Sequence, residues 1–120
     1  MGFKPGKDKL EQLEVAGAFA ANVDGTFGTF AGGDATPSVA NGNLWKTSGT
    51  TAITMFDDGT PGQIITVIST DDITYDTTSS NLKGSSADIV TQDGDITVWV
   101  FDGTNWHLIS WNSPSDNLNE

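Results

Sequence analysis

At 120 residues and 12.6 kDa the chain is sized for one domain, and a 36% hydrophobic fraction with 14 glycines is ordinary for a globular protein. Sixteen acidic residues against five lysines and no arginine give a net charge of -11, which argues against nucleic acid and anionic membrane surfaces as partners, because phosphate binding draws on clustered cations. The absence of cysteine excludes disulfides and thiolate chemistry; no run approaches the roughly 18 apolar residues of a membrane span, and Met1–Lys7 lacks the apolar stretch of a signal peptide.

In chain order, residues 1–9 set Lys4, Lys7 and Lys9 against Asp8 alone, a local charge of +2 that leaves -13 for the rest. Such asymmetry suggests an arm with its own docking surface, although a solvated terminus gives the same pattern. Residues 8–23 fit two periods: Leu10 and Leu13 have helical spacing, while Leu13 and Val15 alternate with Gln12 and Glu14 as a strand would. Residues 24–35 are glycine-rich and read as a linker in which Phe27 and Phe30 need a surface to lie against. The expected organisation is an arm over 1–35 and a β-module over 36–120. Lys4, Lys7, Lys9, Leu10, Leu13, Val15, Phe19, Phe27 and Phe30 are the candidate docking residues.

From Thr36 onward Thr, Val and Ile dominate and Asp, Gly and Asn punctuate at short intervals, so strands are expected at 43–47, 50–57, 63–70, 73–76, 88–92, 95–102 and 105–111. The clearest hairpin joins the last two through the turn Asp102-Gly103. This predicts an all-β fold, a small antiparallel sandwich of jelly-roll type.

Side chains alternate between the faces of a strand. In 95–102, Ile96, Val98 and Val100 oppose Thr97, Trp99 and Phe101; in 63–70, Ile64 and Ile68 oppose Ile65 and Val67; in 105–111, His107, Ile109 and Trp111 oppose Trp106 and Leu108. A free-standing sandwich needs one apolar face per sheet. The second face must meet another copy, the arm or a ligand. Ile64, Ile65, Val67, Trp99, Phe101, Trp106 and Trp111 are therefore candidates for core or subunit interface, and self-association is the preferred account.

Catalytic groups are sparse. His107 is the only histidine, so a histidine-rich metal site is excluded, and its setting in Trp106-His107-Leu108 reads as strand. The pairs Asp57-Asp58, Asp71-Asp72 and Asp93/Asp95 read as turn residues; a glycosidase using Asp93/Asp95 or Asp71/Asp72, or calcium bound in an Asp-rich loop, is the chemical alternative. No cofactor, metal or enzymatic activity is expected.

Thr36-Pro37-Ser38-Val39-Ala40-Asn41-Gly42-Asn43-Leu44-Trp45-Lys46-Thr47 resembles the opening of a small β-domain found near the ends of bacteriophage tail fibres, tailspikes and other virion appendages. The likeness continues through Ile53–Phe56, Asp58-Gly59-Thr60-Pro61-Gly62, Gln63–Ile68, Thr74–Asp76, Asn81–Gly84 and Val100–Trp106, covering residues 36–111. It implies a trimer with exposed apical loops and assigns no catalytic residue. About 35 residues precede the module, where a fibre would carry a long shaft. The resemblance therefore points to a homotrimeric knob on the exterior of a phage particle, held to the major capsid protein or another virion protein as a capsid decoration (cement) protein. A fibre or appendage tip binding a host receptor or carbohydrate is the alternative, with Trp106 and Trp111 stacking on the glycan.

Overall fold

A computed structural model describes residues 25–114, and this part of the chain is all-β, with two sheets in a compact globule. The strands are β1 (Gly28–Thr29), β2 (Leu44–Lys46), β3 (Ile64–Ile68), β4 (Ile73–Tyr75), β5 (Leu82–Lys83), β6 (Ile89–Thr91), β7 (Ile96–Phe101) and β8 (Trp106–Asn112). Six form one sheet in the order β1-β2-β3-β7-β8-β5, and β4 pairs with β6 in a second.

The larger sheet is mixed, which corrects the expectation of a purely antiparallel sandwich. Its centre, β3-β7-β8, is antiparallel, but β1-β2-β3 run parallel to one another and β5 runs parallel to β8. Parallel neighbours need long crossovers. Here irregular chain supplies them: residues 47–63 carry β2 back to the start of β3.

That crossover contains the second correction. Residues 50–57 form no strand despite their Thr- and Ile-rich composition. Ile53 and Phe56 are the buried side chains, three positions apart, so strict alternation fails. The backbone bonds to several segments instead. Ile53 N–H donates to Thr74 O (2.9 Å), Thr54 N–H to Ala35 O (2.8 Å) and Asp57 N–H to Pro37 O (2.8 Å).

The third correction lies in the glycine-rich stretch. Gly28–Thr29, expected as linker, is the edge strand of the larger sheet, and Phe30 is buried in the core. Gly28 is required there by close approach, since a Cβ would sit 2.4 Å from the Trp45 ring. The compact fold thus begins before residue 36.

Between the sheets lies an aromatic core. Phe56 sits at its centre, with ring centroids 5.4 Å from Trp106, 5.6 Å from Trp99, 6.0 Å from Phe30 and 6.2 Å from Tyr75. The Trp106 and Trp99 contacts are edge-on, a favoured aromatic geometry. Among the described residues two buried polar atoms, Trp45 Nε1 and Tyr75 OH, have no hydrogen-bond partner, while others in the core are paired. Trp106 Nε1 donates to Phe56 O (3.0 Å), Trp99 Nε1 donates to Thr97 Oγ1 (2.9 Å), and the Ser69 and Thr91 hydroxyls pair at 2.7 Å.

Burial, with no hydrogen-bond partner at the hydroxyl, pushes the Tyr75 phenol up to about 12. A raised acid pKa favours the protonated native form, so its stabilisation is complete below the unfolded value near pH 10. It is then lost at about 1.4 kcal/mol per pH unit as pH rises toward about 12. Tyr75 is the only tyrosine in the chain. Its tyrosinate absorbance should therefore titrate near pH 12 in native protein and near pH 10 in denaturant, and Tyr75→Phe should remove the alkaline slope of stability. A native titration near 10 would contradict this burial.

Candidate functional site

The central strands divide their side chains cleanly. Ile65 and Val67 of β3, Thr97, Trp99 and Phe101 of β7, and Trp106 of β8 point inward and are buried. Among the described residues, the buried apolar cluster lies wholly on this inner side.

The opposite face is apolar as well. β3 contributes Ile64 and Ile68, and β7 contributes Ile96, Val98 and Val100. The pairing aligns them in rows: Ile64 lies opposite Val100, which lies opposite His107; Thr66 lies opposite Val98, which lies opposite Ser110; Ile68 lies opposite Ile96. Cross-strand neighbours on one face sit about 5 Å apart, so these side chains form a continuous surface. Ile64 remains 50% exposed, which makes it available for contact.

β8 departs from simple alternation. Trp99 pairs with Leu108 but Val98 pairs with Ser110, so Ile109 is an extra residue in a bulge. Beyond the bulge Trp111 lies opposite inward-facing Thr97, not on the face of His107 as alternation predicts. Its ring is 41% exposed at the sheet margin, where Nε1 donates to Asp95 Oδ2 (3.1 Å). Asp95 is buried; Oδ2 also accepts from Gln92 N–H (3.1 Å), and Oδ1 accepts from Ser113 Oγ (3.0 Å). This carboxylate pins the end of β8 to the turn before β7.

Asp102 organises the opposite end of the hairpin. Its Oδ1 accepts from the backbone N–H of Asn105 (2.7 Å) and Thr104 (2.8 Å), and its Oδ2 meets His107 Nε2 at 2.8 Å. The Asn105 amide first, then the imidazole and the Thr104 amide, hold the carboxyl down to about 2. Asp71 Oδ1 accepts the N–H of Asp72 (2.9 Å), a bond local to its turn. Among the described residues, no cluster of three metal-ligating side chains occurs.

Of the candidate arm residues, Lys4, Lys7, Lys9, Leu10, Leu13, Val15 and Phe19 lie outside the described residues. Phe27 is half-buried beneath Lys46 Nζ, 5.8 Å from its ring centroid, and Phe30 stacks on Trp45 at 5.4 Å. Of the core-or-interface candidates, Ile65, Val67, Trp99, Phe101 and Trp106 are core, while Ile64 and Trp111 are exposed. Trp106 is wholly buried, so it offers no surface for stacking on a sugar. Exposed Val90, on β6 of the other sheet, was not placed by alternation; exposed Ile109, placed with His107 and Trp111, is instead the bulge residue.

No family model, curated protein or solved structure matches the chain.

Proposed function

We propose that this chain is a structural protein of a phage particle: a homotrimeric, jelly-roll-like knob on the particle exterior, acting as a capsid decoration protein. The observation that carries this reading is the second apolar face of the larger sheet, which a structural protein made to assemble has reason to keep. The resemblance over residues 36–111 supplies the setting. The mechanism is stabilisation by binding: a protein that binds assembled shell but not free subunits lowers the free energy of the shell by mass action. Residues 1–24, with their lysines and apolar positions, are the proposed attachment to the shell. Quantitative mass spectrometry of purified particles tests this. Hundreds of copies per particle are expected of a shell component; a few to a few dozen would indicate an appendage, and absence would overturn the virion assignment.

A receptor- or carbohydrate-binding tip is the second reading, favoured by the Trp111 ring, held by Asp95 yet 41% exposed. An aromatic face fixed by a hydrogen bond suits stacking on a sugar. Binding of the protein to a glycan array, lost in Trp111→Ala, is the expected result under that reading.

A further inference from the structure

The sequence contains a single Asn-Gly step, Asn41-Gly42, in the loop before β2. Asn41 is exposed and holds a left-handed backbone, φ 60°, while Gly42 is buried. This pair carries a chemistry of its own. The Gly42 nitrogen can attack Asn41 Cγ, because glycine brings no Cβ to block the approach. The nitrogen gives its proton to hydroxide and bonds to Cγ; the Cγ–Nδ2 bond breaks, and Nδ2 leaves as ammonia with a proton from water. A five-membered succinimide results, which water then opens. Attack at the side-chain carbonyl gives aspartate. Attack at the main-chain carbonyl gives isoaspartate, whose backbone runs through Cβ and is longer by one methylene.

The fold bears on this reaction in two opposite ways. The attacking group is free: among the described residues the Gly42 N–H donates to no protein acceptor. The peptide next to it is held. Gly42 O accepts from Gln63 Nε2 (2.8 Å), and the same nitrogen holds Val39 O (2.9 Å). On either side, Val39 N–H donates to Asp57 O (2.9 Å) and Asn43 O accepts from Thr66 N–H (2.8 Å). Ring closure must turn the Asn41–Gly42 peptide out of its left-handed setting, and the buried Gln63 amide opposes that turn. We propose that Asn41-Gly42 is a latent self-modification site, converted to aspartate and isoaspartate with loss of ammonia when the loop opens, and that Gln63 is the latch that keeps it unreacted in the fold. The change is one-way. The added methylene separates Val39 O from Gly42 O, which a single Nε2 has to bridge, so an isoaspartyl chain no longer fits the latch.

Peptide mapping of the full chain by mass spectrometry, after incubation at mildly alkaline pH, reads the amide-to-acid mass gain at Asn41. In denaturant Asn41 should react faster than any other asparagine of the chain. In the folded protein its rate should fall about tenfold or more, and Gln63→Leu, shown to be folded by circular dichroism, should recover most of that loss. Labelling by isoaspartyl methyltransferase should rise with the mass gain. Trp99→Ala weakens the core and leaves the bonds of this loop in place, so it should react more slowly than Gln63→Leu. Should Gln63→Leu fail to fold, Gln63→Glu decides: its ionised carboxylate keeps the size and the acceptor for Thr60 N–H but has no donor for either carbonyl. Equal rates in folded and denatured wild type, a folded Gln63 variant as inert as wild type, or a Trp99→Ala as reactive as the Gln63 variant overturns the latch. An Asn41 that stays intact in denaturant overturns the site.

Discussion

Trp99→Ala is expected to cost about 3–5 kcal/mol, a large share of the roughly 5–15 kcal/mol that holds a domain of this size together. Trp99 is wholly buried on β7, with Phe56 5.6 Å away on one side and Tyr75 5.2 Å away on the other. It therefore joins the larger sheet, the irregular crossover and the smaller sheet at one point. Truncation removes two aromatic contacts, opens a cavity that a packed sheet cannot close, and takes the indole donor from the buried Thr97 hydroxyl. The urea midpoint should fall by about 2 M with little change in slope. Trp99→Phe retains the ring contacts and should lose less than half as much. A shift in Trp99→Ala below about 1 kcal/mol would show that the two sheets are not joined here.

Gln63 should be nearly as sensitive, for a different reason. Its side chain is buried and spent entirely on backbone groups: Nε2 donates to Val39 O (2.9 Å) and Gly42 O (2.8 Å), and Oε1 accepts from Thr60 N–H (2.8 Å). These three bonds tie the loop before β2 to the turn before β3. Gln63→Leu keeps the volume but leaves two carbonyls and one amide without partners, which should cost about 3 kcal/mol or more. Gln63→Glu separates hydrogen bonding from packing. Burial and the two facing carbonyls would raise its carboxyl pKa, so its penalty should be smallest at acid pH and grow as pH rises above the ordinary glutamate value. Chemical denaturation across that range checks the sign. A Gln63→Leu variant as stable as wild type would show that the two loops hold themselves.

Much of the fold was legible because its strands obey local rules. Alternation placed Ile65, Val67, Trp99 and Phe101 opposite Ile64, Ile68, Ile96, Val98 and Val100, and the Asp102-Gly103 turn marked the β7–β8 hairpin. The failures occur where a distant partner decides. Gly28–Thr29 is a strand only because β2 lies beside it and Trp45 covers Gly28. Residues 50–57 have strand composition but find their hydrogen bonds in several separate segments, so no ladder forms. The bulge at Ile109 reverses the sense of Trp111, and nothing in Leu108-Ile109-Ser110 announces it.

The candidate site divides in the same way. Its apolar centre follows from period-two spacing within β3 and β7. The strands beside that centre do not follow from local spacing, because β2 joins it through parallel pairing with β3, and β5 through pairing with β8, more than 20 residues away in sequence. Asp95 shows a similar limit: as the acid after Gly94 it reads as a turn residue, while its role of anchoring Trp111 and Ser113 depends on the chain returning beside it.

The position of β8 also bears on how the molecule is born. Among the described residues it is the last strand to be synthesised, yet it sits inside the larger sheet, with β7 on one side and β5 on the other. Until Trp106 emerges, β5 has no neighbour to dock on, Phe56 O lacks its indole donor, and the aromatic core stands open at one end. A nascent chain that stalls before this point exposes both apolar sides of β7 at once, a hazard for clumping. Folding of this unit must therefore wait for β8, and truncations that remove only this strand should yield insoluble product rather than a shortened fold.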